Sequence, residues 1–343
     1  MSIENQAQQE QVVIVGGGPC GLSAAIELQE KGVVPLVIEK GNIVDAIAQY
    51  PTHQTFFSTS EKLEIGDVPF IIEERKPRRS QALAYYREVV KKKNLRIHAF
   101  ETVSRVAPAE GGGFFVMSET FDGPRVYRAK AVVLATGYYG HPNVMDVSGE
   151  ELPHVSHYFK EAHRYFDQRV VVIGGKNSAV DAALELEKAG AHVSVLYRGP
   201  EYSASIKPWI LPEFEALVRH EKVSMTFNAQ IKEITSDEVV YAVGNEDQRI
   251  ACDFVFAMTG YTPDHGLFRE AGIKVDEDTG RPFFNEDTME TNVPNLYIAG
   301  VVAAGNNANE IFIENGRFHG GKIANALMQH SLTSLKKEVN HDA

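Results

Sequence analysis

The chain opens its ordered pattern with a short apolar run, Val12–Val15, then a glycine-rich turn, then apolar residues at helical spacing: Leu22, Ala25, Ile26 and Leu28. That order predicts a strand, a tight turn and a helix, which Gly32 ends before a second strand starts at Leu36–Ile38. The same succession returns at residues 170–199, VVVIGGKNSAVDAALELEKAGAHVSVLYRG, and aligns without a gap to residues 12–41 at an offset of 174 − 16 = 158 positions. Residues 42–80 lose the period and mix aromatic with polar residues (Tyr50, His53, Phe56, Phe57, Ser58), which is the character of a functional surface. Gln81–Lys93 predicts a helix, and residues 95–134 predict short strands with turns at Gly111–Gly113 and Asp122–Pro124.

Two strands, Ala131–Ala135 and Phe254–Tyr261, end at Thr-Gly-Tyr and are soon followed by Pro142 and Pro263. They read as two crossings between domains. A last strand from Leu296, a loop, and a helix through Ile311 to Met328 complete the chain. The expected fold is therefore α/β, with two Rossmann-like dinucleotide-binding domains, one inserted into the other.

The repeats differ where dinucleotides differ. In the first, Gly16-x-Gly18-x-x-Gly21 follows a strand and opens a helix, and Glu39 closes the second strand. Gly16 permits the tight turn, Gly18 admits a pyrophosphate, Gly21 lets helix pack on strand, and the acid suits a ribose diol. In the second, Gly174 and Gly175 are kept, Lys176 replaces the middle glycine, Asn177 and Ser178 follow, and Tyr197–Arg198 stand where Glu39–Lys40 stood. Arg198, Lys176 and Lys207 are candidate phosphate partners, and the Arg fork suits a 2′-phosphate. One bound FAD and one visiting NADPH are implied. Residues 1–142 and 262–343 then form a discontinuous FAD-binding domain, and residues 143–261 an NADPH-binding domain. The segment Asn306–Gly316 is expected to start a helix whose dipole faces the flavin.

Cys20 lies inside the first glycine loop. A thiol at a helix N-terminus is a candidate for disulfide exchange, and equally a small residue packed where Ala would fit. Cys252 reads as the core of a buried strand. With only these two cysteines the chain has no disulfide framework and no Cys-x-x-Cys pair, which fits a reducing cytoplasm. The histidines show no metal-ligand spacing, so no metal site is expected. A net charge of −12 argues against a general nucleic-acid binder. The polar N-terminus MSIENQAQQEQ lacks the pattern of a leader, and no apolar run approaches the ~20 residues that span a bilayer. A homo-oligomer is the usual expectation for such enzymes.

The longer segments carry a resemblance. VGGGPCGL, EKGN, YPTHQTFFSTSEKLEIGDVPF, LATGYY, VIGGKNSAVDAALEL, YRGPEYSASIKPWILPEFEALV and AGVVAAGNNANEIFIENGRFHG together resemble two-dinucleotide-binding-domain flavoproteins in the thioredoxin-reductase arrangement. Within that group the chain is most similar to the bacillithiol disulfide reductase (YpdA/Bdr) family, from Gln11 to about Gln329. The resemblance implies an FAD-containing, NADPH-dependent enzyme. Its small-molecule substrate would be the disulfide of bacillithiol, a cysteine–glucosamine–malate thiol. It implies FAD contacts at Gly16, Gly18, Gly21, Glu39, Lys40, Gln49, His53, Val103, Thr136, Gly137 and Gly300, and a shared lone cysteine, here Cys20, as the catalytic candidate. It implies NADPH contacts at Gly174, Lys176, Asn177, Ser178 and Arg198, to which Gly175, Tyr197 and Lys207 are added. Gly300 is followed by Val301 where the wider superfamily has Asp, which removes the usual ribitol ligand. Three rival readings share much of this pattern: a ferredoxin- or flavodoxin-NADP⁺ reductase, a flavin monooxygenase, and a redox sensor signalling through Cys20.

Overall fold

The computed structural model describes residues 7–307 and 309–339. Residues 1–6 of the polar N-terminus lie outside the described residues. The chain begins with β1 (Gln8–Val15), α1 (Pro19–Glu30), β2 (Leu36–Glu39), α2 (Asp45–Gln49), α3 (Ser60–Leu63) and α4 (Arg79–Lys93). Four strands follow: β3 (Ile97–Ala99), β4 (Thr102–Pro108), β5 (Phe114–Thr120) and β6 (Gly123–Leu134). Next come β7 (Val155–Ser156), β8 (Arg169–Ile173), α5 (Asn177–Lys188), β9 (His192–Leu196), α6 (Leu211–Arg219), β10 (Val223–Thr226), β11 (Ala229–Ile234), β12 (Glu238–Val243), β13 (Glu246–Ala251) and β14 (Phe254–Ala257). The chain closes with α7 (His265–Glu270), β15 (Leu296–Ile298), α8 (Ile313–Gly316) and α9 (His319–Val339). Helices α1 and α5 coincide at both ends at the repeat offset, since 19 + 158 = 177 and 30 + 158 = 188.

The chain forms two compact units. Among the described residues, the first comprises residues 7–48, 54–141 and those from 261 onward. Its parallel strands run in the order β3-β2-β1-β6, with β15 also paired to β6, and β4 and β5 extend the early half of β6 as an antiparallel meander. Val12–Val15 are buried because β1 is central and covered on both faces, which is why they read as an unbroken apolar run. Pro19 opens α1, where a missing N–H costs nothing.

The second unit comprises residues 49–53 and 142–260. It repeats the plan: a parallel sheet β10-β9-β8-β14-β7 and a separate antiparallel meander β11-β12-β13. The compact units change over one residue earlier at each crossing than the sequence boundaries placed at 142/143 and 261/262. Backbone pairing gives the reason. His141 accepts from the Thr262 N–H inside the first unit, and Asn143 donates to Gly260 inside the second. Residues 49–53 join the second unit, with the Thr52 N–H donating to the Lys160 carbonyl at 2.9 Å.

Three expectations need correction. Strand β14 stops at Ala257 rather than Tyr261, because Met258 turns its carbonyl onto the Gly174 loop, 2.5 Å from where a Gly174 side chain would start. Cys252 is buried, but in the connection between β13 and β14, with its N–H donating to the Asp237 carbonyl. The helix expected from Ile311 is broken into α8 and α9 at Arg317–Phe318. There the Arg317 carbonyl accepts from Ser23 Oγ at 2.6 Å, and its guanidinium reaches the carbonyls of Glu61 and Glu64. These long-range ties outweigh continuation of one helix.

Candidate active site

In the first unit the glycine loop joins β1 to α1. A methyl on Gly21 would overlap the Gly16 carbonyl, and one on Gly16 (φ +110°) would overlap the Ala135 carbonyl. Gly18 differs: a methyl there meets nothing within 4 Å, so its open face is a place a ligand can approach. Gly18 caps α1, whose first N–H groups offer an anion site. Glu39 is buried at the end of β2, with Oε2 accepting from the Gly17 N–H at 2.7 Å and Oε1 from the Gly41 N–H at 2.9 Å. Burial raises its carboxyl from the usual range, while those two amides pull it back. Each oxygen keeps acceptor capacity for a hydroxyl. Thr136, just beyond β6, buries an Oγ1 that has no partner, an orphan of the kind a ligand satisfies. The donor set, the open glycine face and the orphan hydroxyl are chemically suited to FAD.

Lys40 is exposed, with its amine against Gly140. Val103 is half-buried in β4 beside a bulge between Val103 and Arg105. Gly137 (φ +68°) faces open space. Gln49 and His53 are not brought to this loop's unit; they belong to the second unit, where the exposed His53 Nε2 lies 3.6 Å from Glu161.

Cys20, at the second position of α1, is wedged between two glycines. A methyl on Gly300 would lie 3.0 Å from its sulfur, and one on Gly316 2.9 Å from it. Its thiol is pushed up to about 12, first by burial and then by the charge of Glu314. These oppose the helix-start effect that lowers a thiol. Glu314 accepts from Ser58 Oγ, which ties α8 to the irregular 42–80 segment. The Gly300 N–H donates to His319 Nδ1 at 3.1 Å. Burial, then Lys322, holds that imidazole down at about 4, so it is neutral and accepts. The dipole expected from Asn306–Gly316 is misplaced: α8 has four residues, and the 21-residue α9 starts at His319.

In the second unit Gly174 (φ +143°) repeats Gly16, and Ala179 is tolerated where the first loop needs Gly21. The Tyr197 ring packs across Gly175 and Gly199, in the place where Glu39 receives Gly17. No acid stands here for a ribose diol. Lys176 caps α5, and Lys176, Ser178 and Arg198 are exposed around the loop. Asn177, expected as an NADPH contact, is half-buried at the start of α5. Its amide bridges the 203–207 loop, donating to the Ser205 carbonyl at 2.9 Å and accepting from the Lys207 N–H at 2.9 Å. That bridge holds the Lys207 backbone beside the start of α5.

The sequence placed Ser58, Glu314 and Gly316 within candidate segments without joining them to Cys20, and His319 was not singled out. Gly316, Gly320 and Gly321 are visible as small residues late in the chain. Nothing local says that Gly316 meets Cys20.

Residues 13–300 match the family described as pyridine nucleotide-disulphide oxidoreductase. The sequence is 63% identical over 334 residues to the protein named bacilliredoxin reductase Bdr of Bacillus subtilis (strain 168), covering 97% of this chain and 99% of that one. The structure is similar to bacillithiol disulfide reductase Bdr (YpdA) from Bacillus cereus, with TM-score 0.93, 64% identity, and coverage of 94% of this chain and 100% of that one. It is also similar to the same-named protein of Staphylococcus aureus, with TM-score 0.90, 58% identity, and coverage of 94% and 99%.

Proposed function

The chain belongs to the pyridine nucleotide-disulphide oxidoreductase family, in its Bdr branch, and on that premise we propose that it is an FAD-dependent reductase that oxidises NADPH and reduces bacillithiol disulfide. The carrying observation is one glycine loop built twice with opposite second-strand ends: a buried Glu39 in one unit, and Tyr197 followed by an exposed Arg198 in the other. The first suits FAD and the second suits a 2′-phosphorylated nicotinamide dinucleotide.

Bound FAD supplies two-electron transfer between the nicotinamide and a disulfide. The chain's own residues bind and orient. Gly16, Gly18 and Gly21 shape the pyrophosphate turn, Glu39 takes the ribose, and Thr136 and Gly137 offer a hydroxyl and an open main chain. Lys40, Val103 and Gly300 complete the FAD set on the family resemblance, which also assigns FAD contacts to Gln49 and His53. In the second unit Gly174, Gly175, Lys176 and Ser178 form the NADPH loop. Tyr197 closes it, Arg198 and Lys207 take the 2′-phosphate, and Asn177 holds the Lys207 loop. Cys20 is assigned to the disulfide half-reaction. Burial and Glu314 keep it a thiol in the resting protein. Both cysteines remain free thiols, which suits the reducing cytoplasm, and we assign the enzyme to that compartment as a homo-oligomer.

The relatives' names divide between bacilliredoxin and bacillithiol disulfide as the oxidant. Steady-state NADPH oxidation with bacillithiol disulfide, oxidised bacilliredoxin, glutathione disulfide, ferredoxin and oxygen as alternative acceptors tests the assignment. Turnover is expected with bacillithiol disulfide alone. Turnover carried only by ferredoxin or only by oxygen rejects it.

A further inference from the structure

Glu101 lies outside the site described above, yet its side chain is almost completely buried, at 1% exposure. Four polar groups converge on its carboxylate. Ser118 Oγ donates at 2.5 Å, Tyr127 OH at 2.6 Å and Arg125 Nη1 at 3.1 Å, and His98 Nδ1 lies 3.2 Å away. They come from β3, β5 and β6. Burial, then the Glu101 carboxylate, pushes the Tyr127 phenol up to about 12, so it stays a donor. Taking a carboxylate this far out of water costs several kcal/mol before its partners answer, and an apolar residue would fill the space more cheaply. Stability alone is a poor reason for such a network. Fixing a geometry is a better one.

The geometry it fixes is next to the ribose acid. The Glu101 N–H donates to the Glu39 carbonyl at 3.0 Å, and the Phe100 N–H donates to the Gly41 carbonyl at 2.8 Å. Phe100 holds φ +57°, a left-handed conformation that is uncommon for a bulky residue and needs surrounding structure to maintain it. Gly41 in turn donates to the Glu39 carboxylate. Val103 sits directly opposite Ser118 in the β4–β5 register. The path runs unbroken from the meander through Glu101 to the backbone of Glu39.

We propose that Glu101 is a positioning residue for the adenosine half of FAD: its carboxylate anchors the β3–β4 turn to the meander, and the two N–H groups of that turn hold Glu39–Gly41 in place. The inference rests on the assignment of FAD to the first unit.

The test is a double-mutant cycle in the full-length chain, with Glu101→Gln, Glu39→Gln and the double variant. The readouts are the FAD dissociation constant and off-rate, followed by flavin fluorescence, with NADPH affinity and apo unfolding midpoint measured beside them. Glu101→Gln is expected to weaken FAD about tenfold, with no further loss when added to Glu39→Gln and with NADPH affinity unchanged. Arg125→Gln, which loosens the same carboxylate from the solvent side, is expected to give a smaller loss of FAD affinity that Glu39→Gln also abolishes. Additive losses in the double variant overturn the proposal, because Glu101 would then act independently of Glu39. FAD affinity equal to wild type in Glu101→Gln overturns it as well. Wild-type protein that takes up no FAD overturns both this inference and the cofactor assignment beneath it.

Discussion

Gly18→Ala separates the needs of the fold from the needs of the ligand. An added methyl at Gly18 meets no atom within 4 Å, and the backbone there (φ −73°, ψ 174°) suits any residue. In the apo protein two small effects oppose each other. Alanine narrows the unfolded ensemble, worth about 0.4–1 kcal/mol. It is also a poorer helix N-cap than glycine, by roughly half a kcal/mol or more. The apo unfolding free energy is therefore expected to move by no more than about 0.5 kcal/mol. Flavin binding should respond quite differently, because the methyl stands on the open face proposed for the pyrophosphate at the start of α1. Losing one charge-assisted hydrogen bond there costs about 1.5–3 kcal/mol, or ten- to a hundredfold in FAD affinity. Gly21→Ala is the contrast. Its methyl overlaps the Gly16 carbonyl, so the apo fold itself is expected to lose about 3 kcal/mol or more. Denaturant melts of the apo proteins and FAD titrations give both numbers. A Gly18→Ala protein that binds FAD as tightly as wild type refutes the reasoning.

Three further outcomes are expected. Arg198→Ala should raise the KM for NADPH about ten- to a hundredfold, and that for NADH less than about twofold, because only the 2′-phosphate fork is lost; equal effects would discredit the NADPH assignment. Cys20 of the apo protein should be alkylated with a pH midpoint well above the ordinary thiol value of 9.0, toward about 12. Since the folded value is the higher one, its stabilising contribution is complete below about pH 9 and fades as pH rises toward 12, so wild type should lose stability faster than Cys20→Ser over that window; a midpoint at or below 9 contradicts this environment. Tyr297→Phe should stabilise the fold by about 1 kcal/mol, because the Tyr297 hydroxyl is fully buried without a partner; a loss of that size would reveal a partner for the hydroxyl.

The two nucleotide-binding repeats were legible because their signals are local. Gly16, Gly18, Gly21 and Glu39 lie within one strand–helix–strand unit, and the 158-residue offset places the ends of α5 correctly from those of α1. What escaped depends on residues far apart in the chain. Ser23 meets Arg317 across 294 positions and Ser58 meets Glu314 across 256, and these ties break the helix that local periodicity continued. That the Asn177 amide also ties down a loop 28 residues on was not legible either, since nothing local pairs the start of α5 with Ser205. The environment of Cys20 was hidden for the same reason. Gly300, Gly316 and Glu314 decide whether it is thiol or thiolate, and none of them is a sequence neighbour.

The central claim is that reducing equivalents pass from NADPH through a bound flavin to a small disulfide. Its most direct test is an anaerobic mixing experiment in which the NADPH-bleached flavin band of the holoenzyme is followed after one equivalent of bacillithiol disulfide is added. The account predicts rapid return of the oxidised band with release of two thiols per flavin. A band that stays bleached with the disulfide, and recovers only when ferredoxin or oxygen is supplied, would contradict it.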